Sequence, residues 1–193
     1  PTRNTGKILD ILDEYGVKAT FFVMNSGSYN YYMKEIVDRG HQIALHTYTH
    51  QYTIYQSVDT YYDDLNKISE LVKKETGVET KLIRFPGGSS NTVSKKYCKG
   101  IMTTLTKDVV AKGYYYYDWN CTNNDAGGAN TVEEQLKYAK RYPKGAKEIV
   151  VLMHDKSTTA NALPSIIEYY QSQGMKFGVI TPEVTGAHHS PLN

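Results

Sequence analysis

The sequence predicts an α/β protein built on a parallel sheet, and three observations carry the prediction. Segments of helical apolar period alternate with short apolar strand-like runs from one end of the chain to the other. The run 148–152 is continuously apolar after its first residue, as a strand buried on both faces requires. No linker or low-complexity tract divides the series, so residues 1–193 read as one domain.

Taken in order, a first helix is predicted over about 5–15, with Ile8, Leu12 and Tyr15 on one face and Gly16 as its stop. The apolar strand 19–23 follows. A helix around 31–39 ends at Gly40 and leads into the strand 42–45. A long helix over roughly 60–75 places Tyr61, Leu65, Ile68 and Val72 along one face before Gly77. The strand 81–83 opens into a Gly/Ser/Asn loop. A helix near 102–112 stops at Gly113 and gives way to the strand 114–119. An Asn/Gly-rich loop precedes a helix around 132–141, then come the strand 148–152, a helix over about 161–173 and a last strand over 176–181. A sheet of this kind ordinarily begins with a strand, so a first strand is expected to be missing.

Composition narrows the function classes. Hydrophobic residues form 40% of the chain and charged residues 22%, so a packed core is expected rather than disorder. A net charge of +2 with dispersed lysines leaves no electrostatic footprint for nucleic acid. No apolar run approaches the roughly 18 residues that span a bilayer. Tyrosine is abundant, 18 residues against 4 Phe and 1 Trp. It suits stacking on sugar rings, and equally it fills ordinary core and surface positions. Cys98 and Cys121 are the only cysteines and lack zinc-ribbon spacing, which excludes thiolate zinc. A disulfide between them is an open expectation for a secreted chain.

In parallel α/β folds, functional residues gather at the C-terminal ends of the strands. The predicted strand ends carry His46-Thr47-Tyr48-Thr49-His50, Arg84-Phe85-Pro86-Gly87-Gly88, Asp118-Trp119-Asn120 and Leu152-Met153-His154. Four strands thus deliver His, Arg, Asp and His to one rim, more than chance supplies. Two histidines at i and i+4 point the same way if their segment turns helically, which is metal-ligand spacing. Each residue also has a plain structural reading. The two histidines can be surface or capping groups, His154 a satisfied buried imidazole or a general acid/base, Arg84 an ion-pair partner and Asp118 an N-cap. His41 reads as structural, and His188 and His189 as exposed in a polar tail.

Together these residues resemble the polysaccharide deacetylase family (carbohydrate esterase family four, or NodB-homology domains). The family's His-Ser/Thr-x-x-His is matched by His46, Thr47 and His50, and its Arg-x-Pro with a following Gly by Arg84, Pro86 and Gly88. Its Asp-Trp pair is matched by Asp118 and Trp119, and its Leu-x-His by Leu152 and His154. The stretch from Lys7 to Val23 also reads like the family's opening, and the matches run in order over nearly the whole chain. The resemblance implies a distorted (β/α)7-type barrel. It implies an enzyme that removes acetyl groups from N-acetylglucosamine-containing polysaccharide, peptidoglycan or chitin-like, outside the bacterial cell or at its wall.

The resemblance also implies roles. His46 and His50 would hold Zn2+, or another divalent transition metal such as Co2+. His154 would protonate the leaving group. Arg84 would orient the base, and Asp118 would tune Arg84 and His154 through its charge. A backbone N–H near Gly87, in the turn that begins at Pro86, would stabilise the oxyanion. Leu152 would line the pocket for the acetyl methyl, and Trp119 would wall the sugar groove. The family's first motif, Thr-Phe-Asp-Asp-Gly-Pro, is matched only by its last residue, Pro1. Its two aspartates, the base and third metal ligand, have no counterpart, and Asp10 and Asp13 lie on the first helix. The chain as it stands is therefore expected to be impaired. Three other readings remain: an acetylxylan esterase with the same site, a catalytically inactive glycan-binding homologue, and an amidohydrolase of small cyclic amides.

Overall fold

Helices and strands alternate along residues 1–185 and 187–193, the residues described in a computed structural model. They run α1 (Thr5–Glu14), β1 (Thr20–Val23), α2 (Tyr32–Asp38), β2 (Gln42–Leu45), α3 (Val58–Thr76) and β3 (Leu82–Ile83). There follow α4 (Ile101–Ala111), β4 (Tyr115–Tyr116), β5 (Cys121–Thr122), α5 (Val132–Ala139), β6 (Val151–Leu152) and α6 (Ser157–Ser172). Local chemistry accounts for several boundaries. The Ser57 hydroxyl accepts from the Thr60 N–H at 3.0 Å and starts α3 two residues before the predicted position. A capping box between Thr131 and Glu134 starts α5.

All strand pairs are parallel. β1 lies against β2 from Thr20↔Gln42 to Val23↔Leu45, β2 meets β3 at Leu45↔Ile83, and β3 meets β4 at Leu82↔Tyr115 and Ile83↔Tyr116. The strands form a four-stranded sheet in the order β1-β2-β3-β4 and a separate two-stranded sheet, β5-β6. The α/β class with a parallel sheet is therefore as expected, while the strand pairing does not run continuously round a barrel.

The break falls inside the predicted strand 114–119. The Tyr117 N–H still bonds Ile83 O at 3.0 Å, but the Asp118 N–H turns to Ala187 O at 2.7 Å. Asn120 and Cys121 then donate to Val150 O, and Asn123 to Leu152 O. One segment thus leaves β3 and joins β6, so its rim end lies near Asn123 and Asp125 rather than at Asp118.

The predicted last strand, 176–181, is not a strand. Side chains hold it instead: Ile180 N–H donates to Thr20 Oγ1 at 2.7 Å, and the Tyr117 hydroxyl to Thr181 O at 2.8 Å. The disulfide is also absent. Cys98 is free, and Cys121 is buried with its thiol against Ala139 O (3.3 Å) and the Tyr170 hydroxyl (3.6 Å), on the side of β5 that faces α5 and α6.

The main core lies where α2, α3 and α4 cover the four-stranded sheet, around Ile36, Leu45, Tyr61, Leu65, Ile83 and Leu105. A second cluster joins α1 to α6 through Ile8, Leu12, Leu163 and Ile167. With every strand pointing the same way, the loops after β1, β2, β3, β5 and β6 share one rim.

Candidate active site

His46 and His50 are brought together by a loop, not by the helical turn that their spacing invites. Thr47 and His50 both adopt left-handed backbone conformations, with φ 64° and 57°. That region is unfavourable for side-chain-bearing residues and especially for a β-branched one. A carboxylate on the neighbouring helix meets the residues between these two positions. Asp64, buried on α3, accepts from Tyr48 N–H at 2.5 Å, Thr49 N–H at 3.0 Å and the Thr49 hydroxyl at 2.9 Å. Thr47 is wholly buried, and its hydroxyl has no partner among the described residues.

The two imidazoles face each other with Nε2 atoms 3.1 Å apart. His46 Nδ1–H donates to Arg84 O at 2.7 Å, which leaves Nε2 as its lone-pair nitrogen. Burial, followed by the charge of His50, pulls His46 down to about 3. Burial also lowers His50, with the charge of His154 acting in the same direction. Two neutral nitrogens so close need a shared proton or a cation between them. Two nitrogens each 2.0–2.1 Å from one zinc ion at a tetrahedral angle lie about 3.3 Å apart. The pair therefore fits two ligand positions of a divalent transition metal. Among the described residues no group of three His, Cys, Asp or Glu side chains completes such a site.

The turn after β3 brings Arg84 and the two glycines beside this pair. Arg84 is buried, with Nε and Nη2 donating to the carbonyls of Tyr117 (2.9 Å) and Asp118 (2.8 Å) and its guanidinium 4.0 Å from the Phe22 ring centre. Burial lowers it to about 10, against the opposing pull of Asp118. Pro86 is buried, and its carbonyl accepts from the Tyr55 hydroxyl at 2.9 Å. Gly87 is exposed at φ 77°, and its N–H has no partner among the described residues. Gly88 lies under the Trp119 ring, which a Cβ there would meet at 3.0 Å.

Asp118 does not tune His154 by contact. Its carboxylate is fully buried and accepts from Ser89 N–H (2.8 Å), the Ser89 hydroxyl (2.5 Å) and His189 N–H (2.8 Å). His189 is accordingly not a free tail histidine: its ring bonds Trp119 O at 2.6 Å and Ser90 Oγ at 3.1 Å. His188 is exposed as expected, although its ring packs edge-on to Tyr116, 4.5 Å between centres. His41 is structural, accepting from Ala19 N–H at 3.2 Å.

The carboxylate bound to His154 is Asp125. His154 Nδ1–H donates to Asp125 Oδ1 at 2.7 Å, and His154 N–H to Asp125 Oδ2 at 2.6 Å. The Thr159 hydroxyl adds a third bond, 2.7 Å to Oδ2. Burial pushes the Asp125 carboxyl up, but the bonds from His154 and Thr159 outweigh it and leave it below the ordinary value. His154 itself is exposed, so Nε2 is available at the rim. Leu152, two residues earlier on β6, is half-buried beside Thr122.

Sequence reasoning missed Asp125 and Asp64. Asp125 was hidden by ending the strand too early. Asp64 left a visible signal, a carboxylate on the otherwise apolar face of Tyr61, Leu65, Ile68 and Val72.

The family profile described as polysaccharide deacetylase matches residues 1–104. The catalytic domain of a peptidoglycan N-acetylglucosamine deacetylase from Eubacterium rectale has a similar structure, with TM-score 0.95 and 41% identity over 100% of this chain and 90% of that one. A carbohydrate esterase family four pseudoenzyme from Bacillus anthracis is also similar, with TM-score 0.75 and 26% identity over 92% of this chain and 59% of that one. Among curated proteins, a bifunctional xylanase/deacetylase from Pseudobutyrivibrio xylanivorans is 26% identical over 94% of this chain. The chain spans 28% of that relative's length.

Proposed function

This chain belongs to the polysaccharide deacetylase family, and from that premise we propose that it is the catalytic domain of a metal-dependent hydrolase that removes acetyl groups from N-acetylglucosamine-containing polysaccharide, peptidoglycan or chitin-like, at the bacterial cell wall or outside the cell. The observation that carries the reading is the rim itself. A facing pair of imidazole nitrogens from the β2 loop stands with an exposed histidine on β6 that is hydrogen-bonded to a buried carboxylate.

His46 and His50 would hold Zn2+, or Co2+ in its place, and the ion when bound would supply Lewis-acid polarisation of the acetyl carbonyl and acidify water. The resemblance would assign the third protein ligand and the base to two aspartates of the family's first motif, of which the given sequence matches only Pro1. Gly87 offers to the developing oxyanion an N–H that has no partner among the described residues. His154 delivers a proton from Nε2 to the departing amine, while Asp125 fixes the tautomer with Nδ1–H and stabilises the imidazolium. Arg84 orients the base from its buried seat. Leu152 borders the acetyl methyl, and Trp119 walls the sugar groove next to Gly88.

The test is incubation of the zinc-loaded protein with an N-acetylglucosamine pentamer and, separately, with acetylated xylan. Acetate and a new primary amine from the pentamer are expected once the family's first motif is supplied ahead of Pro1, and little or none from the chain as it stands. Acetate from the xylan alone would move the reading to an O-acetyl esterase. A second reading, a non-catalytic glycan-binding homologue, is favoured by the likeness to the Bacillus anthracis pseudoenzyme. Retention of the pentamer with no acetate from either substrate would establish it.

A further inference from the structure

We propose that Asp64 is the positioning residue of the histidine pair: it binds the β2 loop in the left-handed shape that here lets His46 and His50 share one ion. The inference rests on the metal reading above and adds to it a residue that touches neither metal nor substrate.

Four observations carry it. Residues at i and i+4 meet naturally only on a helix, and here they meet with Nε2 atoms 3.1 Å apart on a non-helical loop. The loop achieves this through two left-handed residues, Thr47 and His50, neither of them glycine. Such conformations persist only where the surroundings over-determine them. The donors between the two strained positions, Tyr48 N–H, Thr49 N–H and the Thr49 hydroxyl, all end on the one carboxylate of Asp64. That carboxylate is 7% exposed and sits on a helix face otherwise occupied by Tyr61, Leu65, Ile68 and Val72.

A buried acid on an apolar face is unfavourable unless its oxygens are satisfied. Here they are satisfied by the loop, so helix and loop are mutually dependent. Charge-assisted bonds to backbone N–H groups are about twice as strong as neutral ones. His46 is held independently, by Arg84 O. Asp64 therefore acts chiefly on where His50 stands relative to His46.

The experiment uses the full chain and three variants: Asp64→Ala, Asp64→Asn as the near-isosteric rescue, and Thr49→Val, an exposed substitution that removes one of the three bonds, along with the 3.3 Å bond from Gln51 N–H, and leaves the core intact. Two readouts are taken. In metal-free protein, the nuclear Overhauser contact between the His46 and His50 rings and the Thr47 backbone coupling report the loop shape. Titration with Co2+, followed by its visible absorption, reports affinity. In Asp64→Ala the ring contact should vanish and Co2+ affinity should fall roughly 10- to 100-fold, the range for residues that orient metal ligands. Thr49→Val should weaken Co2+ in the same direction by less, and Asp64→Asn should recover most of the parent value. If Asp64→Ala does not fold, Thr49→Val and Asp64→Asn decide the matter. An unchanged ring contact and Co2+ affinity in Thr49→Val, together with an Asp64→Asn no better than the alanine variant or lacking the contact, overturn the proposal. If the parent chain binds no Co2+, the metal reading falls, and the ring contact still decides the role of Asp64.

Discussion

His154 Nδ1 stands 2.7 Å from Asp125 Oδ1, and the same aspartate accepts the His154 backbone N–H at 2.6 Å. The imidazole is thus bound at both its ring and its backbone by one carboxylate, with Nε2 left for the substrate. In an active chain His154→Ala should lower kcat by about 10²–10⁴-fold with little change in KM, because a general acid acts in the transition state. Asp125→Asn should also lower kcat, with the substrate still bound. Steady-state kinetics on an N-acetylglucosamine oligomer check both, and an unchanged kcat in His154→Ala removes it from the chemistry.

Asp125 should also leave a mark on acid stability. Its folded pKa lies below the ordinary 3.8: burial acts upward, but the bonds from His154 and Thr159 prevail. A carboxyl with a depressed folded pKa adds stability that is present above its unfolded value and lost as pH falls through the folded one. Asp125→Asn should therefore be destabilised near neutral pH, by about 1–3 kcal/mol for a broken buried bond. The gap to the parent should close below pH 3.8. Urea melts at a series of pH values measure it, and a gap of constant size would exclude the linkage.

His46→Ala and His50→Ala should each abolish tight zinc binding, since each removes one of the two facing nitrogens. Equilibrium dialysis followed by elemental analysis reads the stoichiometry. Zinc retained at parental affinity in both variants would place the metal elsewhere.

Gly88→Ala should destabilise the turn that carries Arg84. A Cβ at φ 80° would stand 3.0 Å from the Trp119 ring and 3.1 Å from Asp118 Oδ1. A loss of about 1–3 kcal/mol is expected from backbone strain alone, with a fall in Tm of about 2–4 °C for each kcal/mol. Thermal unfolding followed by circular dichroism tests this.

Titration of the denatured, unreduced protein should find both Cys98 and Cys121 as reactive thiols. Both are free in the structure, Cys98 packed against the main core and Cys121 with its thiol against Ala139 O and the Tyr170 hydroxyl. A single mixed-disulfide-free chain with no reactive thiol would contradict the structure.

The order of elements was legible because helical and strand-like apolar periods are local properties. The long helix displays Tyr61, Leu65, Ile68 and Val72 on one stripe, and the same four are buried. The strand 42–45 is found with the bounds its apolar run marks. The last predicted strand, 176–181, was equally apolar at its end, yet its backbone bonds to side chains at Thr20 and Tyr117, partners far away in sequence. Composition could not reveal that.

What the sequence by itself determined, then, was the alternation that makes the sheet parallel and the three histidines that parallel strands carry to one rim, because period and strand end are written in neighbouring residues. Tertiary structure alone decided which aspartate serves His154. The segment through Asp118 leaves β3 for β6, a choice made by Val150, Leu152 and Ala187, so Asp118 is buried against Ser89 and His189 while Asp125 reaches the rim. It also decided how two histidines four apart come to face each other. The left-handed residues that do it are unfavourable in isolation and are held by Asp64 on the next helix, and a conformation stabilised only by a distant partner has no local pattern from which to read it.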